Sequence, residues 1–239
     1  MDPQYSALYR ELYEKHWWFR IRERWIVEIL RQNMPTGGWS SILDVGCGNG
    51  LFFDQLAKFG QVEGVETSRE IVSPSNPHFE KIYIGPFDES FQPRNLYSLV
   101  LLLDVLEHIP EPLEALRKCM SLLKIGGTLL LTVPAFNIVW TNHDVINHHM
   151  TRYRRSTLFP LLRQAGFTIE DSAYWFHWTF PVKLGERLIE KALRLSPSNP
   201  SIPSSVVNRA LRSLCSLEHR VLGPLRLPFG TTLFVRCRK

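Results

Sequence analysis

A glycine-rich turn that follows an acidic residue is the segment whose residue types and spacing could do chemistry. Residues 42–50 read Ile-Leu-Asp-Val-Gly-Cys-Gly-Asn-Gly, which predicts a strand that runs directly into a tight turn. Gly46 and Gly48 have no Cβ, so the backbone there can turn sharply and approach a ligand closely. The G-x-G-x-G spacing differs from the G-x-G-x-x-G of a dinucleotide site, which argues against a nicotinamide dehydrogenase. Asp44 beside the turn disfavours a pyrophosphate and favours a ligand that carries an amino group.

A second acidic residue, Glu66, ends the next predicted strand, 22 residues after Asp44. In nucleotide-binding α/β folds, an acid at this strand end accepts hydrogen bonds from ribose hydroxyls. The glycine turn, Asp44 and Glu66 together therefore predict a site for a nucleoside ligand without phosphates.

Short apolar runs alternate with helical patterns through most of the chain, which predicts a parallel sheet covered by helices on both faces. The strand candidates are Ser41–Val45, Gln61–Val65, Lys81–Ile84, Leu99–Leu103, Gly127–Val133, Phe167–Ala173 and Thr231–Arg238. The helix candidates between them are Leu51–Phe59, Pro112–Leu123 and Thr157–Ala165. Pro74 and Pro77 shorten the helix expected after the second strand, because proline interrupts a helix interior.

Five motifs in order make the sequence resemble a class I S-adenosylmethionine-dependent methyltransferase of type 11, the group related to ubiquinone and menaquinone methyltransferases. The motifs are Leu43–Gly50, Val65-Glu66, Leu103–Ile109, Leu123–Gly127 and Val133-Pro134, with further likeness to a bacterial subgroup in His16–Arg20 and His143–Tyr153. The resemblance implies an α/β, Rossmann-like fold with a seven-stranded, mostly parallel sheet whose last strand is antiparallel. It also implies S-adenosyl-L-methionine as the cofactor and S-adenosyl-L-homocysteine as the product.

The resemblance further assigns individual residues to the cofactor. These residues are Asp44, Gly46, Cys47, Gly48, Glu66, Thr67, Asp88, Asp104 and Val105. Asp44 is expected near the ammonium of the methionine part, and Asp104 and Val105 near the methyl group. Family members often have Gly-Asp after the third strand, with the acid beside the adenine amino group. This chain has Gly85-Pro86-Phe87-Asp88 instead, so Asp88 is expected to take that place from two residues further on.

Polar residues cluster at 143–153, in the loop after the fifth predicted strand. Ligands of open parallel sheets bind outside the carboxyl ends of the strands, which places this loop on the acceptor side. His143 and His148 are the predicted proton acceptors, because a neutral imidazole takes up a proton near neutral pH, and Tyr153 is a predicted positioning group. Two alternatives stay open: Asp144 and His148, four residues apart, could share a zinc-binding or iron-binding helical face, or the loop is merely solvated. The prediction is a site without a metal.

Three parts of the chain are predicted. Residues 1–36 form an aromatic helical arm, residues 37–176 with 229–239 form the cofactor-binding core, and residues 177–228 form an insertion before the last strand. The arm helix, over 5–33, carries more aromatic rings than one helix face can bury, which favours a lid over the cofactor or acceptor beside the alternative of a simple core helix. Its aromatic residues are Tyr5, Tyr9, Tyr13, Trp17, Trp18, Phe19 and Trp25.

The insertion is predicted to contain two amphipathic helices, Val182–Leu195 and Ser205–Leu222, on either side of a hinge rich in proline and serine at 196–203. It has eight Lys or Arg residues and three Glu residues, a net charge of +5 that equals the charge of the whole chain. Three interpretations follow, in decreasing order of preference: a cap over the acceptor, a contact with an anionic membrane surface, or a dimer interface.

The composition is that of a globular protein. With 239 residues, 44% hydrophobic and 21% charged, the chain can bury a core without disulfides or a structural metal. The longest aliphatic run, Leu99–Leu103, is far shorter than the ~20 residues of a membrane span, and early charged residues leave no secretory leader. The four separated cysteines form no zinc motif. A cytoplasmic protein is expected, with peripheral association at the membrane surface as an alternative.

The predicted function is methyl transfer from S-adenosylmethionine to an O, N or C atom of a small-molecule, natural-product or lipid-like acceptor, by a monomer or a homodimer. Aligning the acceptor with the methyl group is mainly a positioning task. The alternatives are an RNA methyltransferase and a non-catalytic regulator that binds the cofactor. The sequence contains no recognisable RNA-binding module, so nucleic acid is not the expected partner.

Overall fold

Seven β-strands form one sheet in the computed structural model, which describes residues 10–93, 95–197 and 201–239. The strands are β1 (Trp39–Val45), β2 (Gly60–Glu66), β3 (Ile82–Ile84), β4 (Tyr97–Leu103), β5 (Leu123–Pro134), β6 (Thr168–Trp175) and β7 (Thr232–Arg238). All strands predicted from the sequence are present, and their order in the sheet is β3-β2-β1-β4-β5-β7-β6. The predicted Rossmann-like α/β fold is confirmed.

The strand directions bring the acidic residues of the glycine-turn region to one edge of the sheet. β1 pairs in parallel with β2 and β4, and β4 pairs in parallel with β5. β7 is antiparallel to both β5 and β6, as predicted for the last strand. Because parallel strands end at the same edge, Asp44, Glu66 and Asp104 all lie near the carboxyl edge of β1, β2 and β4.

Helices cover both faces of the sheet. They are α1 (Trp17–Gln32), α2 (Phe53–Leu56), α3 (Pro112–Leu122), α4 (Asn142–Ile146), α5 (Arg155–Gln164), α6 (Thr179–Leu193) and α7 (Ser205–Leu222). The predicted helix Leu51–Phe59 is shortened to α2, because the glycine turn continues through Gly50, at a φ of 65°. Between β2 and β3, the described residues contain only the 3-10 turn Phe79–Lys81, as the prolines predict.

Two hydrophobic cores lie on opposite faces of the sheet, because successive side chains of a strand point to opposite sides. Val100 and Leu102 of β4 pack with residues of α3 and α5. Leu99 and Leu101 pack on the other face with residues of α1 and α2, including the fully buried Ile26. The arm is therefore partly a core element, as the alternative interpretation of its aromatic residues predicts.

The N-terminal arm is broken at His16, whereas the sequence predicts one helix over 5–33. A helical segment at 10–15 precedes α1, and His16 between them has extended backbone angles. The His16 ring accepts a hydrogen bond from the Trp18 N–H at 3.3 Å. Burial lowers the pKa of His16 to about 4, so the ring is neutral at pH 7 and can accept this bond. Tyr5 and Tyr9 lie outside the described residues.

The insertion contains both predicted helices: α7 has the predicted bounds, and α6 begins three residues and ends two residues before its predicted limits. Residues 198–200 of the hinge lie outside the described part of the chain. α7 contacts the arm through Asn208, whose Oδ1 accepts the Trp17 N–H at 2.8 Å. α6 contacts the loop after β5 through Glu190, which accepts the Asn142 N–H at 2.9 Å. None of the helices described has the length and apolar character of a membrane span.

Candidate functional site

The glycine turn between β1 and α2 has left-handed backbone conformation at three glycines. The φ angles of Gly46, Gly48 and Gly50 are 71°, 56° and 65°, a region that glycine adopts without strain. A Cβ at Gly46 would lie 2.5 Å from Cγ2 of Val105. The turn therefore packs directly on Val105, which follows β4, and the contact of Val105 with the cofactor stays a prediction.

Glu66 ends β2 with its carboxylate held against the glycine turn. The Gly48 N–H donates to Oε2 and the Ser68 N–H donates to Oε1, each at 2.9 Å, and Thr67 Oγ1 lies 3.4 Å from Oε1. Since a carboxylate offers about four acceptor positions, Oε2 retains capacity for a further donor, and a ligand hydroxyl could replace the long Thr67 contact on Oε1. The arrangement can bind two neighbouring hydroxyl groups.

Asp44 is a buried carboxyl group beside the turn. Burial raises its pKa to about 7, although the Arg22 charge acts in the opposite direction and the Glu66 charge adds to the increase. Burial disfavours the charged form of a carboxyl group, and a nearby cation favours it. A ligand ammonium beside Asp44 would therefore lower the pKa of the carboxyl group, and the resulting carboxylate would form an ion pair with the ammonium.

Asp104 follows β4 and forms a salt bridge with Arg22 of α1. Thr132 of β5 also donates its hydroxyl to Oδ2 of Asp104, at 3.1 Å. The guanidinium of Arg22 lies 4.9 Å from the ring centroid of Trp18, within cation–π range. Asp104 has a φ of 55°, and non-glycine residues in this strained region concentrate at functional sites.

A narrow cleft at this edge of the sheet is lined from two sides. Arg22 and Glu23 of α1 form one wall, and Asp44 and Gly46 contribute to the other. Tyr13 closes the arm side by donating its hydroxyl to Glu23 Oε2 at 2.5 Å. The cleft has a volume of about 40 Å³, enough for only a few water molecules. The arm therefore lines one side of this narrow cleft, and its role as a lid stays a prediction.

Cys47 and Asp88, also predicted to contact the cofactor, have identifiable structural contacts. A Cβ at Gly64 would lie 2.5 Å from Cys47 Sγ, so Cys47 packs on β2. Burial raises the pKa of the Cys47 thiol far above its usual range, which disfavours a reactive thiolate. Asp88 is exposed, and its Oδ1 accepts bonds from the Ser90 hydroxyl at 2.6 Å and N–H at 2.8 Å. Its role beside the adenine stays a prediction.

Asp144 is the centre of a hydrogen-bond network in the loop after β5. Its side chain is fully buried and accepts bonds from Arg152 Nε at 2.8 Å, His149 Nδ1 at 2.7 Å and the Thr141 N–H at 2.9 Å. Burial alone would raise the pKa of Asp144, but the hydrogen bond with His149 and the charge of Arg152 hold it well below its usual range. The loop is thus folded around an ionised carboxylate that orients the His149 ring.

The three side chains predicted to serve the acceptor lie in different surroundings. The His143 ring lies 3.2 Å from Asn147 Nδ2, and burial lowers its pKa to about 4. His148 is exposed, with a φ of 55°. Tyr153 is buried, and its hydroxyl donates to the Leu106 carbonyl at 3.3 Å, which ties the loop to the segment after β4. Contact of these residues with an acceptor stays a prediction.

Arg22 and His149 are not among the residues that the sequence singles out. Arg22 lies four residues after Trp18 and three before Trp25, so it shares a helix face with them, and a charge within an aromatic stripe is a usable signal. The pairing of His149 with Asp144 has no such signal, because the residues between them form an irregular turn.

Comparisons with known proteins agree with this geometry. A methyltransferase-domain family model matches residues 13–172 of the chain. A ubiquinone biosynthesis O-methyltransferase of Xanthomonas axonopodis pv. citri (strain 306) is 29% identical across 57% of this chain and 65% of that relative. Another, from Xanthomonas campestris pv. campestris (strain B100), is 30% identical across 54% of this chain and 63% of the relative. The chain therefore spans less than two thirds of the length of these curated relatives.

Solved structures share the fold. The N-methyltransferase NodS of Bradyrhizobium japonicum WM9, in complex with S-adenosyl-L-homocysteine, has a TM-score of 0.57 and 15% identity, over 100% of this chain and 99% of that one. A chain from the complex of the Haloferax volcanii Trm112 methyltransferase activator with a methyltransferase has a TM-score of 0.60 and 17% identity, over 98% and 94%. These identities show the fold alone. The family model covers more than half of the chain, and the chain therefore belongs to the class I S-adenosylmethionine-dependent methyltransferase family.

Proposed function

We propose that the protein transfers a methyl group from S-adenosylmethionine to a small-molecule acceptor. The observation that carries the proposal is the carboxylate of Glu66, which the N–H groups of Gly48 and Ser68 hold in place. Oε2 keeps an acceptor position, and Oε1 has only the long Thr67 contact besides. This arrangement supports binding of the two ribose hydroxyls of a nucleoside. Asp44 beside the turn disfavours a phosphate there. Family membership and the fold shared with methyltransferases support the sulfonium cofactor in particular.

The amino-acid part of the cofactor has one positive and one negative group, and the cleft offers a partner for each. Asp44 is placed to pair with the ammonium. Arg22 lines the same cleft, and its guanidinium is suited to the carboxylate. Because the cleft is too narrow for this part of the cofactor, entry requires the segment at 10–15, which carries Tyr13, to move, while α1 stays packed in the core. The arm therefore acts as a lid over the cofactor.

The acceptor is proposed to react through an oxygen atom, by analogy with the curated relatives, whose names describe O-methyltransferases. The protein aligns that oxygen with the methyl carbon for in-line displacement, so positioning provides most of the rate increase. His148 is exposed in the loop on the carboxyl side of the sheet and is suited to take up the hydroxyl proton. His143 is less suited, because a general base is most effective with a pKa near the working pH and burial lowers its pKa to about 4.

The insertion is proposed to form a cap beside the acceptor site. α6 contacts the first part of the loop after β5 at two points: Arg187 donates to the Asn137 carbonyl at 2.6 Å, and Glu190 accepts the Asn142 N–H. α7 holds the start of the arm helix through Asn208. These contacts support a cap that touches the lid and the acceptor-side loop at once.

The outward faces of α6 and α7 support a peripheral contact with an anionic membrane surface. On α6, the polar residues Arg187 and Glu190 contact the loop after β5. Leu188 between them is 61% exposed. On α7, Asn208 and Glu218 face inward, and Glu218 accepts the N–H groups of residues 177 and 178. The exposed apolar residues of the two helices are Val182, Leu188, Ile189, Leu193, Val206, Val207, Leu214, Leu217 and Val221. Apolar side chains facing water beside basic ones are typical of interfacial helices.

The charge of the insertion favours this partner over a second copy of the chain. Eight basic and three acidic residues lie at 177–228, so two copies that met through this face would repel each other. An anionic lipid surface instead attracts the basic insertion, and the attraction contributes roughly 1 kcal/mol for each basic residue near the surface. A surface contact of this kind would bring a lipid-like acceptor to the cap.

Methyl transfer is tested by supplying methyl-labelled S-adenosylmethionine with separated small-molecule, lipid and RNA fractions of the source cell. The expected result is label in the small-molecule or lipid fraction, and a fraction containing only lipids would identify a lipid-like acceptor. Label confined to RNA would replace the proposal with an RNA methyltransferase. Binding of the cofactor without transfer to any fraction would replace it with a non-catalytic regulator.

A further inference from the structure

Two histidines and a glutamate come together just after β4, beside the loop that follows β5. Glu107, His108 and His149 each place a ligand atom within 4.8 Å of the others, and His149 Nε2 lies 4.0 Å from Glu107 Oε1. Two atoms that each lie 2.0–2.2 Å from one Zn²⁺ can be up to about 4.2 Å apart. The ligand atoms of the three side chains are thus spaced nearly as they are around a bound metal ion. Shifts of less than about 1 Å would bring all three within bonding distance of one ion.

Glu107 is buried without a hydrogen-bond partner. Its side chain is 0% exposed, and within the described part of the chain neither carboxylate oxygen has a partner. The Met150 N–H donates to the Glu107 carbonyl at 2.8 Å, which fixes the backbone so that the carboxylate stays inside. A buried polar group without a partner is costly and requires an explanation. A bound cation provides one.

Hydrogen bonds fix the orientation of both histidine rings. His149 Nδ1 bonds to Asp144 at 2.7 Å, and the proton on Nδ1 leaves the Nε2 lone pair on the side of Glu107. The His108 ring has a hydrogen bond with the backbone of His148. Histidines that bind metals usually donate their other ring nitrogen to a carboxylate or a backbone carbonyl. Both residues show this arrangement.

The charged groups around Glu107 do not neutralise its carboxylate. The basic groups that face it are Arg22 and Arg152, and each is already paired, Arg22 with Asp104 and Arg152 with Asp144. Glu107 is therefore the unbalanced charge of the group when it is ionised.

We infer that Glu107, His108 and His149 bind a divalent transition-metal ion, of which Zn²⁺ is the type. Two imidazoles and one carboxylate form a ligand set that leaves a coordination position open for a water or substrate oxygen. His108 is exposed at the rim of the cluster, so this position is accessible from solvent. The inference replaces the expectation of a metal-free site.

The ion has a role in methyl transfer that rests on the proposed function. An acceptor hydroxyl bound at the open position would lose its proton more readily, because a metal ion lowers the pKa of a bound hydroxyl. The proton passes to solvent or to the neighbouring His148. The acceptor oxygen then forms its bond to the methyl carbon as the carbon–sulfur bond breaks and leaves neutral S-adenosylhomocysteine.

The metal site is tested on the full chain after chelator treatment, by calorimetric titration with zinc chloride and by the visible absorption of bound Co²⁺. The expected result is one ion per chain, with affinity at least ~10-fold lower in Glu107→Gln and in His108→Ala. His108→Ala changes an exposed residue and tests the site should Glu107→Gln unfold. The control is His78→Gln, which alters a half-buried histidine outside the cluster, paired with Asp54 at 3.0 Å, and it is expected to bind like wild type.

Equal zinc affinity in wild type, Glu107→Gln and His108→Ala would overturn the metal site. The same samples are then titrated with S-adenosylmethionine. Loss of zinc binding with retained cofactor binding separates the metal site from the cofactor site. Zinc binding in a protein that fails to bind the cofactor would overturn the proposed function and leave the metal site standing.

Discussion

The carboxylate of Asp104 at the end of β4 is paired with the guanidinium of Arg22, 82 residues earlier in the chain. Only 10% of the Arg22 side chain and 19% of the Asp104 side chain are exposed, so water screens this pair weakly. Removing one partner of a buried ion pair costs about 3–5 kcal/mol. The position of the arm and the charge at the cofactor edge of the sheet therefore depend on each other.

Arg22→Gln is expected to weaken S-adenosylmethionine binding by about 10-fold to 100-fold, the value of a lost hydrogen bond to a charged group. It is also expected to lower the melting temperature, because Asp104 is left without its partner. Isothermal titration and scanning calorimetry measure the two effects. Arg24→Gln, on the same helix but exposed, is the matched control. Wild-type cofactor affinity in Arg22→Gln would contradict the assigned role of Arg22.

Asp44→Asn is expected to stabilise the protein without cofactor at about pH 8 and to leave it unchanged at about pH 4. Burial raises the pKa of Asp44 from 3.8 to about 7, so the folded state favours the protonated form. The stabilisation that protonated Asp44 contributes is complete below the pKa of this group in the unfolded chain. It is lost as the pH rises through about 7, the pKa of Asp44 in the folded protein. Asparagine is neutral throughout and avoids that loss.

Melting temperatures from acid to alkaline pH measure this difference, with exposed Asp54→Asn as the control. Saturating S-adenosylmethionine is expected to stabilise wild type more than Asp44→Asn at the alkaline end, where the carboxylate meets the ammonium. A difference in melting temperature between wild type and Asp44→Asn that is the same at every pH would show that burial does not raise the pKa of Asp44.

The centre of the sheet is predictable from the sequence because β4 and β5 contain continuous apolar runs. Leu99 to Leu102, for example, are all completely buried. The helix after the glycine turn ends earlier than its pattern predicts, since the Lys58 and Phe59 N–H groups bond to the Gln55 and Leu56 carbonyls, three residues back, at 3.3 and 2.9 Å. Hydrophobic periodicity cannot reveal a competing hydrogen bond of this kind.

The cofactor side of the site is predictable because Asp44, Gly46 and Glu66 belong to short motifs at strand ends. The acceptor side is not, since its geometry depends on contacts between distant segments. The spacing of Asp144 and His148 fits a helical face, yet α4 ends at Ile146 and the turn that follows brings His149 to Asp144. Glu107 likewise has no sequence signal of burial, because it follows a strand and precedes a loop.

His148→Ala is expected to lower turnover by about 10²–10⁴-fold, the usual contribution of a general base. Cofactor affinity is expected to stay unchanged, because no contact joins His148 to the glycine turn among the described residues. The rate is measured with the acceptor found by the labelling experiment, and His78→Ala, at a half-buried histidine outside the loop after β5, is the control. Turnover near wild type in His148→Ala and in the double variant His143→Ala/His148→Ala would assign both histidines to loop structure.

Leu188→Ser/Leu217→Ser is expected to weaken binding to phosphatidylglycerol vesicles by more than 10-fold, because burial of each leucine contributes about 1.5–3 kcal/mol. Wild type is expected to bind these vesicles and not phosphatidylcholine vesicles, and to dissociate at about 1 M salt, where charges are screened beyond about 3 Å. Flotation measures the bound fraction. Ile125→Ser is the control, since Ile125 is 96% exposed at the opposite edge of the sheet. Equal binding of the two variants would contradict a membrane contact through the insertion.

Calorimetric titration of wild type and Glu66→Gln with S-adenosylmethionine tests the central claim most directly. Glutamine keeps the size of the side chain but accepts fewer hydrogen bonds, so the loss is expected to be about 1–3 kcal/mol, or roughly 5-fold to 150-fold in affinity. Exposed Glu70→Gln is expected to bind like wild type, and NAD is expected to produce no binding heat with any of the three. Tight binding of NAD, or equal cofactor affinity in wild type and Glu66→Gln, would contradict a nucleoside site built on Glu66.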